Sequence, residues 1–179
     1  MPHFALSVVG RDRPGIAAAV TEPLAGHAVN IEDSRMTNLR GHFTMMLILA
    51  APGDVDRARL AADLDAAGGR LGLEAVVLRD VDALDPHAAP ATHIATVYGA
   101  DHPGIVHAVT GALSAGGVNI TDLSTRLVGD DEGEPLYVMM LELAPPASTV
   151  CRASVPVPAE VGSAQGVDVS IGELESDVL

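Results

Sequence analysis

The chain contains no lysine, no tryptophan, one cysteine, two tyrosines and two phenylalanines in 179 residues. Each shortage removes a class of function. Ten arginines stand against 24 carboxylates, and the formal charge of -14 repels phosphate backbones and anionic membrane surfaces. So few aromatic rings leave little for nucleobases to stack on, so direct nucleic-acid binding is not expected. The lone Cys151 cannot close an intrachain disulfide. No basic-then-apolar leader and no long apolar span is present, which reads as a soluble, cytoplasmic protein without membrane contact. Catalytic signatures are missing too: there is no phosphate-binding loop and no nucleophile elbow, and Cys151 lies in an irregular stretch. His102 and His107 are five residues apart and the other histidines are scattered, so neither a metal nor another cofactor is expected.

What is present is a repeat. Residues 10–33 align without gaps on 99–122, and 13 of the 24 positions are identical. They include Gly10 with Gly99, Asp12 with Asp101, the Pro14-Gly15-Ile16 and Pro103-Gly104-Ile105 runs, and the Val-Asn-Ile runs at 29–31 and 118–120. Further on, FTMMLILAAP matches YVMMLELAPP at an offset larger by five residues, which places an insertion in the GDDEGEP segment at 129–135. The chain is a tandem duplication with apolar content of 48%, enough for two small cores. Prolines and alanines in DVDALDPHAAPAT read as a linker. The expected organisation is a first domain over 1–82, a linker over 83–91 and a second domain over 92–179.

Each copy has a legible order of elements. HFALSVVG is a short apolar strand, and Ile16, Val20 and Leu24 recur at helical spacing after it. Pro23 falls inside that helix, where it removes one backbone bond and is expected to kink or shorten the last turn. VNIEDSRMTNL and HFTMMLILAA flank an Arg-Gly turn and read as a hairpin. A second helix follows, with an aspartate cap and terminal glycines, and LGLEAVVL closes as a strand. The order β-α-β-β-α-β predicts an α+β fold: two ferredoxin-like units, each an antiparallel sheet with helices on one face. In the second copy Pro156 and Pro158 exclude a regular helix through them, so the second helix there is expected to be short, starting near Pro158. Continuous apolar character in FTMMLILAA predicts that both faces of that strand are covered, by a second sheet or another subunit. The two Met-Met pairs read as core and sheet packing.

The repeated loop carries the chemistry. Asp12 and Asp101 stand where a helix N-cap belongs, accepting the amide of Gly15 or Gly104, and Pro14 and Pro103 suit a first turn. A glycine after the proline leaves the helix start bare, so a ligand can approach its amides and the positive end of the dipole. Asn30 and Asn119 open the next strand, taken to lie beside or near the first, and offer both a donor and an acceptor. Together these groups suit a zwitterion. Plain structural roles compete: the aspartates as caps, the asparagines bonding a neighbouring loop, and Arg13 and His102 as solvated side chains rather than anion contacts.

GRDRPGI...VNI and GADHPGI...VNI in this frame resemble ACT domains, small regulatory modules that commonly bind amino acids, and the tandem without an attached enzyme is similar to the glycine cleavage system transcriptional repressor family. The resemblance implies a ligand site at an interface between two ACT units. It points to Arg11, Asp12, Arg13, Pro14, Gly15 and Ile16 with Asn30 and Ile31. In the second copy it points to Ala100, Asp101, His102, Pro103, Gly104 and Ile105 with Asn119 and Ile120. Arg11 and Arg13 face Ala100 and His102 in the alignment, so the two sites are not equivalent. The implied function is non-catalytic sensing of a small amino acid, relayed through a protein partner such as a transcription factor, by a homodimer. A detached regulatory subunit of a metabolic enzyme and a ligand-free dimerisation module are the alternatives.

Overall fold

The computed structural model describes residues 1–81, 89–129, 136–146 and 159–174. The chain divides into two compact units, Met1–Pro86 and His87–Leu179. The first contains β1 (His3–Arg11), α1 (Ile16–Gly26), β2 (Asn30–Leu39), β3 (His42–Ala50), α2 (Arg57–Leu71) and β4 (Ala75–Val81). The second repeats the order as β5 (His93–Ala100), α3 (Ile105–Ala115), β6 (Asn119–Val128), β7 (Leu136–Ala144), α4 (Ala159–Gln165) and β8 (Val167–Glu173). Each unit holds one four-stranded antiparallel sheet, ordered β2-β3-β1-β4 and β6-β7-β5-β8. This is the ferredoxin-like α+β arrangement, twice.

Alternation along the strands builds each core. In β1 the side chains of Phe4, Leu6 and Val8 point inward, and in β3 those of Phe43, Met45, Leu47 and Leu49 do. They meet Ile16, Val20 and Leu24 of α1 and Leu60 and Leu64 of α2. The second core is assembled the same way around Val97, Ile105, Val109, Leu113, Met139 and Leu141. Only the first methionine of each pair is core. Met46 and Met140, on the opposite face of their sheets, are 52% and 45% exposed within the single chain.

Local signals account for most boundaries. Asp56 caps α2 by accepting the Arg59 amide at 3.0 Å, and Gly72 ends the helix with φ of 62°. α1 ends in a Schellman motif: the Val29 amide donates to the Leu24 carbonyl at 2.9 Å and the Ala28 amide to that of Ala25 at 3.1 Å. α3 ends identically on Gly117 and Val118. Val29 and Val118, the first letters of the Val-Asn-Ile motif, are buried as parts of these caps. Pro23 costs α1 no length, since α1 and the proline-free α3 both span 11 residues, which corrects the expectation of a shortened turn.

The hairpin between β2 and β3 has a two-residue turn, Arg40-Gly41, with φ of 52° and 84°, the sign that twisted hairpins require. In the second unit Val128 pairs with Leu136, so the five extra residues fall between these two strands, as the changed offset indicates. α4 begins directly after Pro158 and has seven residues where α2 has 15. Most of the expected linker, Cys151, Pro156 and Pro158 lie outside the described residues. No helix among the described residues is long and apolar enough to cross a membrane.

Candidate functional site

Both repeated loops join a central strand to the start of a helix, and both are shaped by glycine. Gly15 and Gly104 are the N-caps of α1 and α3, with φ of 94° and 104°, a region that side-chain-bearing residues avoid. Their carbonyls accept the amides of Ala19 and Ala108 at 3.0 and 2.9 Å. Pro14 and Pro103 therefore precede the caps rather than opening the first turns. Neither helix start carries a side-chain cap, which corrects the role expected of Asp12 and Asp101.

Asp12 does something else. Its carboxylate accepts the Asn38 side-chain amide at 2.6 Å, its backbone amide donates to the Gly41 carbonyl at 2.9 Å, and the Asn38 oxygen accepts the Gly41 amide at 3.0 Å. The loop is thus strapped to the tip of the β2–β3 hairpin. With the carboxylate drawn sideways, the start of α1 stays uncapped, and a Cβ placed on Gly15 would meet no atom within 4 Å. Arg11, Arg13 and Pro14 are exposed around it, while the Ile16 side chain is spent on the core.

The second loop is furnished differently. Leu127 stands where the strap would need Asn38, by the alignment of β6 on β2. The Nε2 of His102 lies 2.7 Å from the Gln165 carbonyl oxygen and its Nδ1 lies 3.2 Å from that of Pro103. These carbonyls, helped by nearby Asp101, raise the His102 pKa above the ordinary 6.5 against a small opposing effect of burial. Burial, and then Asp101, raise the Tyr137 pKa above 10.0, with Thr125 hydrogen bonding in partial opposition. The Gln165 Oε1 sits 3.8 Å from where a Gly104 Cβ would be, so the end of α4 borders this helix start. Ala100, Asp101 and Pro103 are exposed, and Ile105 is in the core.

Asn30 and Asn119 are exposed at their strand starts, but they do not reach these loops within their own units. β2 pairs with β3, not with β1, which corrects the expected neighbourhood. Asn30 is level with Ala50 and His3, whereas the loop follows Arg11, level with His42. Eight residues at about 3.4 Å each put roughly 27 Å between the two levels. Asn119, level with Ala144, is related to Ala100, level with Leu136, in the same way. Ile31 and Ile120 share the asparagines' end, Ile31 exposed and Ile120 half-buried. Among the described residues no group of three or more histidine, cysteine or acidic side chains converges as for a metal ion. The residues that sequence reasoning missed, Asn38 and Gln165, act through contacts 26 and 63 positions away in the chain.

An ACT-domain profile matches residues 3–77. The first unit belongs to the ACT-domain family. A UPF0237 protein of Methanopyrus kandleri is 41% identical over 78 residues, covering 43% of this chain and 87% of the relative. Two relatives span more of this chain. Phosphoserine phosphatase SerB2 of Mycobacterium tuberculosis is 30% identical over 168 residues, 93% of this chain and 39% of that enzyme. The glycine cleavage system transcriptional repressor of Escherichia coli is 28% identical over 124 residues, 69% of this chain and 64% of the repressor. Among solved structures, an unknown protein from Galdieria sulphuraria has a TM-score of 0.78 at 28% identity, covering 97% of this chain and 98% of its own. The duplicated ferredoxin-like fold is thus shared over essentially the full length of both chains.

Proposed function

We propose that this protein is a non-catalytic, cytoplasmic regulator, similar to the glycine cleavage repressor, that senses a small amino acid with its β1–α1-type loops and acts through a protein partner. The observation that carries the reading is the start of α1: no side chain caps it, its glycine is left-handed, and the space before that glycine is open. A carboxylate suits those amides. The ammonium needs an acceptor, which Asn30 or Asn119 offers. Because roughly 27 Å separates loop and asparagine levels within a sheet, one small ligand touching both must be completed by a second ACT unit. Such sharing supplies the differential affinity that lets a ligand shift an assembly.

Affinity is bounded by ligand size. Glycine has five heavy atoms, and a ceiling of about 1.5 kcal/mol per atom limits it to roughly micromolar binding or weaker. That range fits a metabolite pool. The test is a thermal-shift and calorimetry panel over the twenty amino acids, run on the wild type, Asn30→Ala and Asn119→Ala. One or a few small amino acids are expected to stabilise the wild type, with the shift lost in at least one variant. No response to any amino acid would leave a ligand-free module, and a response unchanged in both variants would displace the site.

A second reading has its own support. The similarity to SerB2 runs over 93% of this chain, which favours regulation of a metabolic enzyme. Affinity capture separates the two: a transcription factor recovered in stoichiometric amount supports the first, a biosynthetic enzyme the second.

A further inference from the structure

We propose that His102 is a proton-operated latch that fastens the carboxyl-terminal end of α4 onto the β5–α3 loop, at the position where the first unit uses a permanent cation. Both ring nitrogens face carbonyl oxygens, Nε2 that of Gln165 at 2.7 Å and Nδ1 that of Pro103 at 3.2 Å. A carbonyl only accepts. Two such partners are both satisfied only when both nitrogens carry hydrogen, that is, by the imidazolium; the neutral ring keeps one donor and turns a lone pair toward the other oxygen. Gln165 is the last residue of α4 and left-handed Gly166 follows it, so the cation also meets the negative end of that helix.

The first unit makes the comparison. Arg13 aligns with His102, and its Nη2 lies 3.9 Å from where a Cβ on Gly72, the C-cap of α2, would stand. The same loop position thus holds a cation against the end of the second helix in both units, but only in the second can the charge be removed near neutral pH. The charged group facing His102 among the described residues is Asp101, on the same loop. From α4, residues 161–165 carry no charge, nor does Val167 of β8, while Asp168 pairs with Tyr98 on the outer face. The other titratable groups on the described parts of the adjoining elements are His93 and Tyr98 of β5, His107 of α3, Tyr137 and Glu142 of β7 and Glu173 of β8. Asp101 favours the cation.

The sign follows. The folded state holds the His102 proton more tightly than the ordinary value of 6.5, so the latch is charged and doubly bonded below that pH and loosens, losing its charge and one of its two donors, as pH rises through the raised value. Since Gln165 borders the start of α3, loosening also eases access to that helix start; this last step rests on the ligand reading, the latch itself does not.

The experiment is amide hydrogen exchange on the whole chain between pH 6 and 8, corrected for intrinsic exchange, with an imidazole titration by NMR. Protection at 164–166 is expected to fall about fivefold across the range, the equilibrium weight of one net hydrogen bond, with the His102 midpoint above 6.5. His102→Arg should keep protection high at both pH values, and His102→Gln should leave it low at both. A midpoint at or below 6.5, or a wild-type change under about twofold, overturns the latch even if neither variant folds. An arginine variant that loses protection with pH as the wild type does also overturns it. Amino-acid binding is not read in any arm, so failure here is distinct from failure of the sensor reading.

Discussion

The glycines of the repeated motif do two different physical jobs. Gly15 and Gly104 occupy left-handed backbone with open or nearly open space around them, so alanine there is opposed by conformation alone. Gly15→Ala and Gly104→Ala are each expected to lower unfolding free energy by about 1–2 kcal/mol, measured by urea denaturation. Gly10 and Gly99 are instead hemmed in: a Cβ would stand 2.8 Å from Leu73 Cδ2 in one case and 2.8 Å from Val167 Cγ1 in the other. Gly99→Ala and Gly10→Ala should each cost about 1–3 kcal/mol, because behind the side chain each Cβ also meets backbone that cannot rotate away, the Gly166 carbonyl oxygen at 3.1 Å and Leu73 Cα at 3.2 Å. The carboxylate between them offers a cleaner electrostatic test. Asp101→Asn should lower the pKa of His102, and that of Tyr137 only part of the way, since burial is the larger cause there; NMR and ultraviolet titration read both. At this scale the sequence was least legible. Asp12 occupies a cap position, but the competing partner, Asn38, reaches it only because a two-residue turn brings the hairpin tip alongside, a relation invisible without the register.

Among the elements, the two copies serve as controls for each other. Ala28 sits at the left-handed position of the α1 cap with φ of 54°, where the second copy has Gly117 at 70°. Ala28→Gly should therefore stabilise the protein, by about 0.5–1 kcal/mol after the entropy gained by the unfolded chain is subtracted. No gain in a denaturation midpoint would show that the cap tolerates its alanine. The order of elements along the chain, the helix faces and the α2 cap were readable from alternation, 3.6-residue spacing and Asp56, because local preference and tertiary burial agree there. Pro23 was misjudged for a reason: only one backbone bond is at stake, and Leu24 beyond it is 1% exposed, so core burial carries the helix past the proline.

For the whole molecule, the sheet register governs what assembly can mean. Asn30 and Asn119 are exposed, as are most of the loop residues, but their spacing across a sheet was not legible, since it depends on which strands pair. We expect a homodimer, with a sedimenting mass about twice 18.3 kDa at micromolar concentration. A monomer, with or without amino acid, would remove the dimer and leave the two units of one chain to supply whatever completes the site. The latch adds a pH coordinate to the second unit that the arginine-bearing first unit lacks.

The crowding at Gly10 and Gly99 bears on how such chains are read. A descendant that had ceased to respond to any metabolite would still be held to the same letters, because the strand must pass the residue that follows the second helix at less than ordinary contact distance. Persistence of the signature is then a record of folding constraint, and an inventory of sensors compiled from it alone will count silent copies along with working ones.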